Sequence, residues 1–470
     1  QRHKPVRGAP RAMAEAAHPA PAKRPARRRP KAAVYVNLTN CKYDVVYESA
    51  EELGWRPVFD DDNIEWNLFW TDTSVSTERV MRLQKFQKIN HFPGRYQICR
   101  KGDLARSPRR SARQVPKAFR FFPRTWALPE HGAAFKAQLA ADARSKSKKQ
   151  RTYIVKPVAS CQGKGIFLTR SWDDIDPAEA VVAQRYIANP LLIDGYKFDL
   201  RIYALVTSCM PLRILLYTDG LVRLCTEKYK EPTAKNMKHA CMHLTNYAIN
   251  KHNDKFVQAE SASDLDGADG SKRSISWFKE WVRAHGHDPD GLMERIGDVV
   301  VKTLISIQPS LAHVYQSCCC ESGEAGSLRC FEILGFDVMV DRKYRPWLIE
   351  VNHSPSFTCD SPLDARIKSD LISNTMRLLN LHPNDRRRHQ KQQTSQAKSR
   401  LYSGVTGPGI AAKQSTQRAA NAVRSWVKYT KCEQKSLGNF SVIFPSSNPE
   451  KQERYEAMLH AAEELFTGRA

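Results

Sequence analysis

No run in the sequence approaches the ~18 apolar residues that a membrane-spanning helix needs, so no membrane partner is expected. The chain opens on Gln1, Arg2, His3 and Lys4, basic but without an apolar h-region, which argues against a secretory signal. The missing initiator Met suggests an incomplete N-terminus. The 12 cysteines include no CxxC pair, and Cys318, Cys319 and Cys320 with Cys330 do not match a zinc-ligand spacing. Reduced thiols in a cytosolic protein are the expectation. Acidic residues are in deficit: 49 Asp and Glu against 74 Lys and Arg give a formal charge of +25. That excess points to an acidic partner, either nucleic acid or an acidic protein surface. No internal repeat is visible. A hydrophobic content of 41% is slightly low for a purely globular chain and suggests polar tails. The body, within 470 residues, has room for two or three domains.

Residues 1–32 are rich in Ala, Pro, Arg and Lys and carry almost no aliphatic bulk, so a disordered tail is expected. Order begins at Ala33 to Leu38, a short strand pattern. Asp44 to Leu53 reads as a helix, Trp66 to Trp70 as a strand, and Ser76 as the cap of a helix carrying Val80, Met81 and Leu83. A loop at Asn90 to Gly94 leads to a helical stretch near Ile98 to Leu104. Strands alternating with helices indicate an α/β fold. Further strands are expected at Thr152 to Val155, Ile166 to Thr169 and Val181 to Ile187. Between the first two lies Ser160 to Gly165, a glycine loop with free amide N–H groups suited to covering phosphates. It matches neither GxxxxGK[ST] nor GxGxxG. An ordinary hairpin turn is the competing reading of Gly163 and Gly165.

Lys197 to Val206 alternates charge with bulk, which puts Lys197, Asp199 and Arg201 on one strand face and Phe198, Leu200 and Ile202 on the other. Three charges on a strand that otherwise reads as core demand a ligand or mutual pairing. Arg213 to Tyr217 and Leu221 to Cys225 look like a hairpin around Asp219-Gly220, with Arg223 in its second arm. His243 to Ala248 reads as a short strand or turn. Amphipathic helices are expected over Ile275 to His285, Asp290 to Leu311 and Ser361 to Leu381. Beyond Pro383 a Gln-rich segment crowded with Arg386, Arg387, Arg388, Lys391, Lys398 and Arg400 reads as a linker or basic surface-binding segment, ahead of a helix at Glu450 to Phe466.

The stretch Phe331 to Phe357 holds two apolar runs, Glu332 to Val340 and Trp347 to Val351, around the charged segment Asp341 to Pro346. This is the pattern of two strands joined by a turn. Glu350 and Asn352, two apart, share a face, and a turn centred between Lys343 and Tyr344 sets Asp337 opposite Glu350. Facing carboxylates repel, and a divalent cation would remove the repulsion. Three oxygen ligands with room for phosphate oxygens is how magnesium is usually held. The bland alternative is a hairpin whose acids face solvent.

Taken together, Lys156-Pro157, Cys161 to Ile166, Lys197 to Arg201, His243 to Tyr247 and Phe331 to Phe357 resemble the tubulin tyrosine ligase-like family, a branch of the ATP-grasp ligases. The similarity runs from about Tyr35 to Leu381, and NLTNCKYD, SVSTERV, KINHFPG and FFPRTW look like its polyglutamylase branch. The resemblance implies an α/β ATP-grasp-type ligase with N-terminal (33–105), central (106–212) and C-terminal (213–382) subdomains, and a basic C-terminal segment (383–470) as a candidate microtubule-binding element. It implies ATP and Mg2+, and ligation of free L-glutamate to glutamate carboxylates of tubulin through an acylphosphate. Lys156 would contact phosphates, with Lys101 assisting. Gln162 and Gly163 would belong to the loop over nucleotide and acceptor. Gln184, Arg185, Tyr186 and Ile187 would edge the adenine, and Lys197, Phe198, Asp199, Thr245 and Asn246 would hold nucleotide. Arg201 would face the transferring phosphoryl group, and Asp337, Glu350 and Asn352 look like the magnesium ligands. Arg223 would pair with a carboxylate of the incoming glutamate. Tyr247, Ala248, Lys272 and His353 are further candidates for the substrate pocket.

The chain departs from the family pattern at Val158-Ala159, at Lys164 and at Ala248, where a serine is usual. The first two bear on the flap and the third on amino-acid selectivity, but no proposed magnesium ligand is lost. Glycylase or tyrosine ligase activity on the same fold, and a non-catalytic microtubule-binding module, are the rival expectations. Nucleic acid is not favoured, because no recognisable reading module is present. The resemblance implies a monomer in the cytoplasm on microtubules, with the cilium axoneme or basal body as a further place.

Overall fold

The computed structural model describes residues 32–62, 65–94, 118–145, 150–158, 163–258, 270–319, 328–402 and 408–468. The expected disordered tail, apart from Ala32, and the helical stretch near Ile98 lie outside the described residues.

Four short parallel strands come first: β1 (Tyr35–Asn37), β2 (Arg56–Val58), β3 (Leu68–Phe69) and β4 (Lys88–Ile89), in the order β2-β1-β3-β4. Helices α1 (Asp44–Glu52) and α2 (Thr77–Met81) make the crossovers, and Ser76 caps α2 by accepting the Arg79 N–H at 3.2 Å. Strand β2 escaped the sequence reading because of Pro57. It lies at the sheet edge, where a missing N–H breaks no ladder.

An antiparallel sheet in the order β5-β8-β6-β7 follows, from β5 (Thr125–Leu128), β6 (Tyr153–Pro157), β7 (Phe167–Thr169) and β8 (Val181–Arg185). Helix α3 (Gly132–Ala143) covers it, packing Phe135 against Trp126 and Tyr153 with ring centroids 5.2 and 5.1 Å away.

The third sheet carries the site. It runs β12-β11-β10-β13-β14, from β10 (Tyr196–Cys209), β11 (Leu212–Lys228), β12 (Lys272–Ser274), β13 (Glu332–Val340) and β14 (Pro346–Asn352). The short β9 (Leu192–Ile193) pairs with β10, and β15 (Phe440–Phe444) with β11. Alternation along β10 sorts the layers. Phe198, Leu200 and Ile202 pack under α6 (Ile275–Ala284), α7 (Pro289–Ile305) and α8 (Gln308–Cys318). Tyr203 and Leu205 meet α9 (Pro362–Leu378) and the first sheet on the opposite side. Lys197, Asp199 and Arg201 share that second face, beside the cleft.

Several expectations are corrected. Residues 213–225 are not a hairpin but part of one 17-residue strand, β11. Its register against β10 slips between Ile202 and Ala204, beside Asp219-Gly220, so the turn-like pair marks a bulge instead of a reversal. A Cβ on Gly220 would lie 2.4 Å from the Arg201 carbonyl oxygen. Gly220→Ala should therefore cost about 1–3 kcal/mol, read as a lower urea midpoint with unchanged slope. The helix expected over Asp290 to Leu311 breaks after Ile305, because Pro309 has no N–H to continue it and sits in the first turn of α8. His243 to Ala248 joins two helical turns, α4 (Ala240–His243) and α5 (Tyr247–Asn250), and forms no strand.

The segment expected as a linker is helical, α10 (Asp385–Tyr402) and α11 (Pro408–Lys435), and β15 then extends the central sheet. Helix α12 (Pro449–Thr467) packs on the body: Tyr455 donates to Asp298 at 2.9 Å and meets Phe444. The central sheet also spans both sides of the 212–213 subdomain division.

Candidate active site

The floor of the cleft is set by register. Strands β13 and β14 pair Asp337 with Glu350 and Gly335 with Asn352, and β10 pairs Arg201 with Asp337. Arg201 grips Asp337 through Nε at 2.5 Å and Nη2 at 3.1 Å. Arg223 grips Asp199 through Nε at 2.7 Å and Nη2 at 2.6 Å, and the same Nη2 lies 2.9 Å from Asp337. Thr245 donates to Asp199 at 2.7 Å. Burial alone would push the Asp337 carboxyl up, but Arg201 and Arg223 outweigh it and hold it down at about 2.

Glu350 differs. It is half-buried and lines the cleft, and among the described residues no hydrogen bond or ion pair engages it. The Asn352 amide donates to Gly335 O at 3.3 Å and lies 3.4 Å from Asp337 Oδ2. Among the described residues no group of three or more His, Cys, Asp or Glu side chains is gathered to hold a metal, so a cation at Asp337 and Glu350 would need an amide oxygen such as that of Asn352. A set of hard oxygen donors with one unengaged carboxylate fits magnesium.

The wall is basic. Lys156 reaches Gln184 Oε1 at 3.0 Å, and Gln184 in turn donates to Thr125. Lys197 donates to Tyr186 OH at 2.9 Å and to His243 O at 2.7 Å. Burial, helped by Lys156, outweighs the opposing pull of Cys225 and Asp199 and brings the Lys197 ammonium down to about 8. Burial, then Lys197, takes the His243 imidazole down to about 4, so it stays neutral near pH 7. A bound phosphate would raise the Lys197 pKa, so nucleotide affinity should weaken as pH climbs through about 8. Lys197→Arg should flatten that dependence in a titration followed by fluorescent-nucleotide binding.

The same cleft gathers Arg185, Ile187, Thr245 and Asn246 with the apolar Ile154, Ile166, Met339 and Ile349. Gly163 (φ 82°) lies against Asn246 and Ile249, where a Cβ would come within 2.6 Å of Ile249 Cδ1. Gln162 and Lys101 lie outside the described residues.

Other expected residues go elsewhere. Phe198 is no cleft residue: it points into the core against Phe278, at 5.4 Å, because strand alternation turns it away from Lys197. Lys272 stands 3.6 Å over the Tyr247 ring and 2.7 Å from Asp364, itself bound by Lys368. Ala248 is half-buried on α5. His353 lines a separate pocket with Tyr43, Asp72 and His91. Sequence reasoning passed over His243, Met339 and Ile349 as cleft residues, although His243 stood inside a quoted motif and the other two flank the hairpin carboxylates.

A cleft between the second and third sheets, with a carboxylate hairpin and buried lysines, makes this an α/β chain of the ATP-grasp type. The chain belongs to the tubulin-tyrosine ligase family, whose model matches residues 79–389. It is 44% identical to the tubulin polyglutamylase TTLL13 of Homo sapiens over 91% of this chain and 50% of that protein. It is 46% identical to the tubulin polyglutamylase ttll6 of Danio rerio, over 90% and 52%. With the tubulin polyglutamylase TTLL7 of Mus musculus it shares 38%, over 94% and 50%. The chain thus spans about half the length of these curated relatives.

Proposed function

We propose that this chain is the catalytic part of a tubulin polyglutamylase, an ATP-dependent ligase that joins free L-glutamate to glutamate carboxylates, or to growing glutamate chains, on the acidic C-terminal tails of tubulin. The observation that carries this reading is the convergence of Asp337, Glu350, Lys156 and Lys197 on one cleft, with Arg201 and Arg223 bound to Asp337. The names of the relatives support the substrate.

In the proposed sequence, an acceptor carboxylate oxygen takes the γ-phosphoryl group of ATP and ADP leaves. The amino nitrogen of glutamate then attacks the acyl carbon, loses a proton, and inorganic phosphate departs. Phosphoryl transfer depends on positioning and charge neutralisation more than on covalent help. Lys156 and Lys197 hold phosphate oxygens, and the apolar slot of Ile154, Ile166, Met339 and Ile349 takes the base. Arg201 stabilises charge at the transferring group, and Arg223 orients the incoming carboxylate. Asp337, Glu350 and Asn352 would hold magnesium, which supplies Lewis-acid neutralisation of phosphate charge.

Exposed Arg387, Arg388 and Lys391 on α10 offer a basic face to acidic tails, although Arg386 beside them is paired with Glu65. Such a face raises association rates and makes them salt-sensitive. The setting is then the cytoplasm, on microtubules, and cilia where glutamylated tubulin concentrates, with the protein acting as a monomer.

The test is mass spectrometry of microtubules incubated with the protein, ATP, magnesium and free glutamate. Glutamate-sized increments on tubulin tails are expected. Increments only with glycine or tyrosine would overturn the substrate, and microtubule binding without increments would leave a binding module.

A further inference from the structure

The four charges on the cleft floor are wired in one order, Asp199–Arg223–Asp337–Arg201, across β11, β10 and β13. All four side chains are at most 13% exposed, so each contact is made away from water. A guanidinium has five N–H donors. For Arg223, Nε and one N–H of Nη2 form the side-on fork that Asp199 fills. Nη2 also lies 2.9 Å from Asp337 Oδ2 as an ion pair, and among the described residues Nη1 has no acceptor. A substrate carboxylate docking end-on needs one hydrogen from Nη1 and the second hydrogen from Nη2. The Asp337 carboxylate stands against the Nη2 side of that fork, where a second carboxylate would meet like charge.

Charge points the same way. Arg201 and Arg223 face three carboxylates, Asp199, Asp337 and Glu350, which leaves one net negative charge. A divalent cation between Asp337 and Glu350 turns that into one net positive charge. With Lys156 and Lys197 on the wall of the same cleft, the added charge strengthens the pull on an anionic substrate.

We propose that Arg223 is a tethered counter-cation of Asp337 which a divalent cation displaces, with Asp199 and Thr245 as positioning residues that keep its other edge fixed, so that cation loading opens the carboxylate fork. Cation and amino acid then bind with positive coupling, and the coupling is reciprocal. The proposal rests on the ligase reading for the identity of the amino acid, but its wiring does not depend on which amino acid binds.

The experiment measures Mn2+ binding to the whole chain by electron paramagnetic resonance, without nucleotide, with and without saturating L-glutamate. Glutamate should tighten Mn2+ on the order of tenfold in the wild type. In Arg223→Gln, Mn2+ alone should bind several-fold tighter, because its competitor for Asp337 is gone, and glutamate should no longer matter. Arg223→Lys retains the charge without the fork, so it should keep wild-type Mn2+ affinity and lose the coupling. Thermal melts report whether each variant is folded, and Asp199→Asn should raise KM for glutamate more than it lowers kcat. Independent binding of Mn2+ and glutamate to the wild type, no Mn2+ binding at all, or unchanged Mn2+ affinity in folded Arg223→Gln would each overturn the proposal. Coupling seen with glycine or tyrosine in place of glutamate would sustain it and overturn the glutamate-ligase reading instead.

Discussion

Glu350→Gln should lower glutamate addition by roughly 10²–10³-fold while leaving the thermal melt where it was. The two halves of that expectation have separate causes. Glu350 stands in register with Asp337 at the cleft, so in the proposed ligase its charge would serve the bound cation and phosphate. Among the described residues no hydrogen bond or ion pair uses that charge, so its loss strands no partner. Asp337→Asn makes the contrast. There Arg201 and Arg223 lose their shared carboxylate in a setting no more than 13% exposed. Breaking one member out of a buried charge set costs about 3–5 kcal/mol. Activity and stability should fall together in that variant, whereas Glu350→Gln separates them. A Glu350→Gln protein that melts well below the wild type would show that the carboxylate is structural.

The second large effect is expected far from the chemistry. Glu433 on α11 is buried against Arg213 of β11 and accepts a hydrogen bond from Thr207 at 3.1 Å. The side chains are 0% and 6% exposed, so Glu433→Ala leaves a guanidinium without a counter-charge and without water. A loss of about 3–5 kcal/mol is expected in urea denaturation. Nearby Lys88 is lowered by burial to about 8, with Glu433 and Asp385 opposing that shift, and removing Glu433 should lower it further. Glu433 lies beyond residue 389, where the family match ends, and its contact with Arg213 ties α11 to the sheet that carries the site. An unchanged urea midpoint would show that α11 contributes nothing to that sheet.

Much of the site was legible beforehand because strand periodicity is a local property. Residues two apart share a face, so Lys197, Asp199 and Arg201 had to project together, and so did Glu350 and Asn352. A turn centred between Lys343 and Tyr344 sets Asp337 opposite Glu350, and that pair forms, but by another route: next to the turn Val340 faces Pro346 and Val338 faces Leu348, and a one-residue bulge between Val338 and Asp337 restores the pair. Phe198 was misassigned by ignoring the same rule: listing it with Lys197 and Asp199 crossed the sheet from cleft to core. Asp219-Gly220 misled for a different reason. A glycine beside an aspartate signals either a turn or a bulge, and the local pattern is the same for both. The choice was made by Arg201, whose carbonyl packs where a Cβ would have been. Helix α11 went unseen because its basic composition resembles a linker until the distant partner of its Glu433, Arg213 of β11, is known.

What the amino-acid order determined by itself was therefore the set of strands and helices with strong periodicity, the faces of those strands, and the hairpin that carries Asp337 and Glu350. Only the tertiary structure decided which faces meet. Arg201 finds Asp337 across 136 residues and Arg213 finds Glu433 across 220, and no local preference encodes such a meeting. It depends on which strand becomes the neighbour of β10 and in what register, since a slip of one residue would turn every one of these charges to the opposite face. For that reason the carboxylates could be read from the sequence, while the arginines that share Asp337 could be found only in the folded sheet.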